Sequence, residues 1–303
     1  MLLYSCVSGP PIYNESYKGN TTKVQALLKE GVSPNAVMPN GWTPLMIASA
    51  EGHKDVVKLL IENGADVNAT NRQGRTSIMF SARYGFTEIT HLLAEGGAKI
   101  DIASDGITPL MAASIHGHPK TVEKLIELGA DVNLLINGND AFQFALYNER
   151  SEVMKILINN GALLNRKNEN GVLPLQMAIY KNLNTVGKLM LSKGADPNLT
   201  TVIPSATDLL AKAGPNEKKE ISNLIEAHKG NKEAIEKLKS GTVEISSLMI
   251  ATQHGNIEMV KALLDSGANI HFKNAIGGTA LAYSRTFNQR EIENILIIAG
   301  AVE

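Results

Sequence analysis

Seven histidines and a single cysteine give this 303-residue chain its most obvious chemical reach. Cys6 has no second cysteine for an internal disulfide or a Cys-rich zinc site. The histidines are His53, His91, His116, His118, His228, His254 and His271. Only His116-Gly117-His118 suggests a shared metal. A tetrahedral site needs further ligands, and none is placed to complete one, so no metal is expected. The carboxylates are scattered over charged helix faces, with no pair set apart for acid–base work. There is no P-loop, dinucleotide fingerprint, Gly-x-Ser-x-Gly elbow or His-Glu-x-x-His. Without a nucleophile, base or cofactor signature, the sequence reads as a non-enzyme that needs no cofactor.

Two other groups of residues carry recognition chemistry. Arg72, Arg75 and Arg83 form a local basic patch that could grip a carboxylate-bearing surface. Aromatic residues make up only 5 % of the chain, so the place of each is informative. Aromatics and arginine anchor protein interfaces through large buried area at modest entropy cost. The formal net charge of −1 provides no global field for nucleic acid or an anionic membrane. No apolar run approaches the roughly 18–20 residues of a membrane span.

A repeat must position these groups. Units open at Gly41, Gly74, Gly106, Gly138 and Gly171, 32 or 33 residues apart, and later units start at Ile245 and Gly278. One unit reads "GWTPLMIASAEGHKDVVKLLIENGADVN". Its Thr43 can cap a first helix with Pro44 in the first turn. Leu45, Ala48 and Ser49 face neighbouring helices, and Gly52-His53 makes the turn. Val56, Val57, Leu59, Leu60 and Ile61 give a second helix its apolar stripe, and Gly64 a left-handed C-cap. The second half recurs as "TVEKLIELGADVN", "VMKILINNGALLN" and "MVKALLDSGANIH".

This pattern resembles the ankyrin repeat and covers most of the chain in about eight units. The resemblance implies an all-α solenoid of stacked helix–turn–helix units joined by hairpin loops, each unit burying its apolar faces only against its neighbours. The expected organisation is an N-terminal extension over 1–15 and an N-terminal stack over 16–203, a cap plus five units. A degenerate unit with a helical insertion follows over 204–244, then C-terminal units and a cap over 245–303. The departure near 202–244 reads as an irregular insertion or a kink. The unit at Gly138 is degraded, with Asp140-Ala141-Phe142 in place of Thr-Pro-Leu and Glu149-Arg150 in place of Gly-His. Met46, Met79, Met111, Met249, Phe80 and Tyr283 fall at core positions.

The resemblance also implies non-enzymatic binding of a folded protein through a concave face, formed by the ends of the first helices and the hairpin tips. Carried over unit by unit, the helix-end slots hold Arg83-Tyr84, Ile115-His116, Tyr147-Asn148 and Tyr180-Lys181. Tyr17-Lys18 in the cap, His254 and Phe287 follow the same pattern. The tips add Trp42, Arg72, Arg75, Ile107 and Val172. The sharper expectation is an inhibitor or immunity protein of a bacterial cell-wall hydrolase, acting as a monomer. The alternative is an intracellular adaptor or a secreted bacterial effector. The run Leu3-Tyr4-Ser5-Cys6 looks like the end of a lipoprotein signal. With a signal upstream, Cys6 would carry a lipid anchor in the bacterial envelope; otherwise the protein is expected in the cytoplasm.

Overall fold

A computed structural model describes residues 9–203, 232–241 and 243–302. Cys6 and most of the worn unit, 204–231, lie outside the described residues. The chain divides into two compact units, Met1–Ala162 and Leu163–Glu303.

The first unit is built from helix pairs. They are α1 (Pro11–Tyr17) with α2 (Thr21–Lys29), and α3 (Pro44–Glu51) with α4 (Lys54–Glu62). Then come α5 (Ser77–Tyr84) with α6 (Thr87–Glu95), α7 (Pro109–His116) with α8 (Pro119–Glu127), and α9 (Ala141–Tyr147) with α10 (Ser151–Asn159). The first, inner helix of each pair packs against the next inner helix, and the outer helices form a second row. Leu45, Met46, Val57, Leu60, Leu93, Met111 and Leu125 are almost wholly buried between the rows. The methionine row is thus core filling, as are Phe80 and Tyr283.

Two inner helices of the first unit start from a threonine cap. Thr43 Oγ1 accepts from the Met46 amide and Thr108 Oγ1 from the Met111 amide, each at 3.2 Å. The degraded unit keeps this function with other residues. Asp140 accepts from the Gln143 amide, Gln143 accepts from the Asp140 amide, and Phe142 is fully buried. Two hairpins are one residue shorter than the rest because Asp105-Gly106 and Asn137-Gly138 both take positive φ. These are two-residue turns, closed by the Ser104–Ile107 and Ile136–Asn139 bridges.

The repeats are clamped to one another through a side-chain amide. Asn35 Nδ2 donates to the Gly64 carbonyl at 3.0 Å, and Asn35 Oδ1 accepts from the Asp66 amide at 2.8 Å. Asn68 does the same to Gly97 and Lys99, both at 2.9 Å. Asn133 donates to Gly161 at 2.9 Å. A primary amide carries a donor and an acceptor at one tip, so it satisfies two backbone groups that a helix end leaves open. Asp101 occupies this position once. It can only accept, from the Asp131 amide at 3.2–3.3 Å, and its carboxyl sits above the usual range through burial, with the Asp131 charge adding to the rise.

The second unit contains α11 (Pro174–Tyr180), α12 (Asn184–Ser192), β1 (Thr200–Ile203), α13 (Lys232–Ser240) and β2 (Val243–Ser246). It continues with α14 (Ser247–Gln253), α15 (Ile257–Asp265), α16 (Ala280–Thr286) and α17 (Arg290–Ile298). α11 packs directly on α14 and α12 on α15. The same clamp closes this junction across a far longer stretch of chain. Asn198 Nδ2 donates to Gly267 at 3.1 Å and Asn198 Oδ1 accepts from the Asn269 amide at 2.6 Å, where Asn165 reaches only to Gly194 and Asp196. The chain leaves and re-enters the stack through an antiparallel β1–β2 ribbon, Thr200 opposite Ser246 and Ile203 opposite Val243. Buried Gln176 on α11 holds the ribbon through Thr201 Oγ1 and the Ile245 carbonyl. Ser246 then caps α14.

Asp101→Asn completes the missing half of the clamp. It should raise unfolding stability at neutral pH by about 1 kcal/mol, the net value of one hydrogen bond. The folded state binds the Asp101 proton more tightly than the unfolded chain does. Its favourable contribution is therefore full below the ordinary carboxylate pKa and lost as pH rises past the raised value. The advantage of the Asn variant in urea melts should accordingly shrink on acidification. Glu149 supplies a second test. It has φ +56° where Gly52, Gly85 and Gly117 stand in the other pairs. Glu149→Gly should unfold at higher temperature than Glu149→Ala, because an L side chain at this φ is strained and both variants lack the glutamate.

Candidate partner-binding face

The inner helices end in a shared slot, and the structure divides the expected residues there. Tyr17, Tyr84 and Tyr180 are each the last residue of an inner helix and are 49 %, 49 % and 60 % exposed. Among the described residues they are the only aromatic side chains classed as exposed. Tyr147 also ends its helix but is half-buried, and its neighbour Asn148 is exposed with Nδ2 donating to the Phe144 carbonyl at 2.8 Å. Ile115, His116, Lys181 and Phe287 are half-buried, while Arg72, Arg83 and His254 are exposed. Phe287 lies 6.0 Å from buried Tyr283.

Trp42 is not a free tip. It is half-buried, its ring 4.4 Å from that of Phe80, and it packs on the cluster of Tyr13, Met38 and Ile47. The hairpin here folds back on its own inner helices and so brings the indole onto apolar neighbours. Arg75 is likewise engaged, with Nη2 at 2.9 Å and Nε at 3.3 Å from Asp105 Oδ2. In the second unit the direct packing of α11 on α14 brings Tyr180 edge-on to His254, ring centroids 5.3 Å apart. This pair was hidden in the sequence because 74 positions separate the two residues.

The turn after each inner helix explains the Gly-His motif. His53 Nε2 lies 2.8 Å from the Tyr17 carbonyl and His118 Nε2 2.9 Å from the Arg83 carbonyl, each donating in the tautomer with the proton on Nε2. Arg150 replaces the histidine in the degraded unit, and its Nε donates to the Ile115 carbonyl at 3.0 Å. The preceding glycine makes room, since a Cβ at Gly85 would come within 2.5 Å of His118. The sequence showed Gly-His as a motif, but not that it ties one repeat to the last carbonyls of the one before.

These contacts settle the use of His118 as a bridge between repeats. His116 and His118 rings lie 6.4 Å apart, and among the described residues no three His, Cys, Asp or Glu side chains come together around a common point. His116 has its pKa lowered, first by burial and then by the charges of Arg83, His118 and Arg150. Arg150 brings a positive charge to the end of α7 through its bond to the Ile115 carbonyl. Among the described residues no helix is long and apolar enough to cross a membrane.

Arg83→Gln should raise the His116 pKa toward the ordinary imidazole value, and Arg150→Gln should raise it less. Titration of the His116 ring signals by NMR measures both. Unchanged values would mean that neither guanidinium faces the ring.

Comparison with known proteins agrees with this architecture. A family model described as "Ankyrin repeats (3 copies)" matches residues 10–71, 68–136 and 134–201, and one described as "Ankyrin repeat" matches 245–275. Among similar curated proteins, the ankyrin repeat and KH domain-containing protein mask-1 of Caenorhabditis elegans is 29 % identical over 225 residues, covering 64 % of this chain and 8 % of that protein. The putative ankyrin repeat protein FPV031 of Fowlpox virus is 36 % identical over 99 residues, covering 31 % of this chain and 29 % of its own length. Phosphocholine transferase AnkX of Legionella pneumophila is 32 % identical over 101 residues, or 32 % of this chain and 11 % of that one. The chain thus spans less than a third of the length of these relatives. A solved ankyrin repeat domain from Acinetobacter baumannii superposes with a TM-score of 0.58 at 26 % identity, covering 61 % of this chain and 98 % of that one. Matched models over both halves, the paired helices and the recurring clamps lead to one conclusion: the chain belongs to the ankyrin-repeat family, whose fold is a protein–protein interaction scaffold.

Proposed function

We propose that the chain is a non-enzymatic binder of a folded partner protein, and that the partner meets the ends of the inner helices and the hairpin tips. One observation carries the reading. Among the described residues every exposed aromatic side chain stands in the same slot, the last residue of an inner helix. Water-exposed tyrosine in a repeated position stabilises little by itself, yet it offers large, stiff contact area to a partner. Arg72, Arg83, Asn148 and His254 add exposed polar groups beside it. Half-buried Trp42, Arg75, Ile115, His116 and Tyr147 would flank these slots in the first unit, and half-buried Lys181 and Phe287 those in the second.

The finer reading is an inhibitor, such as an immunity protein that covers the active site of a bacterial cell-wall hydrolase. The same face used by an adaptor or effector would leave the partner's own activity intact. An assay of the captured partner, with and without the chain, separates the two.

Tyr84→Ala and Tyr180→Ala should each weaken capture of the partner from the native organism, with the double change abolishing it. The cost to stability should stay within about 0.5 kcal/mol for Tyr84→Ala and within about 1.5 kcal/mol for Tyr180→Ala, which also loses the edge-on contact with His254. Undiminished capture by the double variant would remove this face as the binding surface.

A further inference from the structure

The cations of the first unit are unevenly partnered. Lys18, Lys54, Lys124 and Lys155 each meet a carboxylate within 3.0 Å. Arg75 is bound by Asp105. Arg72, Arg83 and Arg150 meet no carboxylate among the described residues. Arg83 stands one residue before the end of α5, and Arg150 turns its Nε onto the last turn of α7, so both reach the same row of helix ends. The imidazole of His116 is lowered in pKa first by its own burial and then by the charges of Arg83, His118 and Arg150.

Beside Arg83 runs a shallow groove between the third and fourth repeats. It is lined by partly exposed Ile107 and by the edges of the nearly buried Met79, Phe80 and Ala112, with Arg75 and Arg83 beside them. Asp105 engages Arg75, whose Nε and Nη2 both donate to its Oδ2. Arg83 is the rim charge left open.

We propose that this groove receives an acidic segment of the partner in which an apolar side chain neighbours a carboxylate. The apolar group packs on Ile107, and the carboxylate takes the Arg83 guanidinium. The inference rests on the partner-binding reading and names the chemistry of the partner. A nucleic-acid strand fits less well. Glu51 and Asp105 interrupt the basic residues on this edge, and the chain as a whole carries a charge of −1.

The test uses the full chain and three labelled probes in fluorescence anisotropy. They are a short, end-blocked peptide of alternating glutamate and leucine, its glutamine counterpart, and an oligothymidine of equal length. The glutamate peptide should bind, and do so about tenfold more tightly than the glutamine peptide, with affinity falling as salt rises. Arg83→Glu should weaken it by about tenfold. Lys58→Glu, the same charge change on the exposed face of α4, should leave it unchanged. Equal binding of the two peptides, indifference to Arg83→Glu, or tighter binding of oligothymidine would each overturn the proposal. If no probe binds while capture of the native partner still depends on Tyr84, the acidic-segment inference alone falls. If capture is also indifferent to Tyr84→Ala, the partner-binding reading falls with it.

Discussion

The fold depends on the fact that no helix pair here can bury its apolar faces alone. Each pair exposes one side until a neighbour covers it, so the contacts between repeats decide whether the chain folds. Apolar burial supplies the drive but fixes no register, because it is non-directional. Register comes from polar clamps. The side-chain amide of Asn35, Asn68 or Asn198 reads two backbone groups of the next unit, and His53, His118 or Arg150 reads the last turn of the unit before. Each bond is worth only about 1 kcal/mol net, but the same geometry recurs from junction to junction and so sets how neighbouring repeats align.

Much of this was legible in the sequence. The 32–33-residue spacing, the Thr-Pro caps, the glycines at helix ends and the methionine row all describe local structure or burial, which periodicity reports directly. The roles of Asn68 and His118 were not legible. Both recur visibly, but their partners lie 29–35 residues away, and a spacing does not say which atoms meet. The degraded unit shows the reverse case. Asp140-Ala141-Phe142 and Glu149-Arg150 look like decay, although Asp140 still caps its helix, Phe142 still fills the core and Arg150 still bridges to Ile115.

The candidate face was legible in outline and changed in detail. A list of slots treats Trp42, Tyr84 and Tyr147 as equals. Packing separates them, because the indole of Trp42 finds Phe80 and Tyr147 is half-covered, while Tyr84 keeps about half of its surface exposed. The pairing of Tyr180 with His254 depended on knowing that the sixth repeat sits directly on the seventh.

The β1–β2 ribbon has a consequence for how such a chain can change. The two strands bring Thr200 and Ser246 side by side, and Gln176 anchors them. The stack is therefore indifferent to how many residues intervene. Lengthening a flexible connection between fixed ends costs only about 0.6 kcal/mol per doubling. The ribbon acts as a port at which extra sequence enters this repeat array while α11 still packs directly on α14.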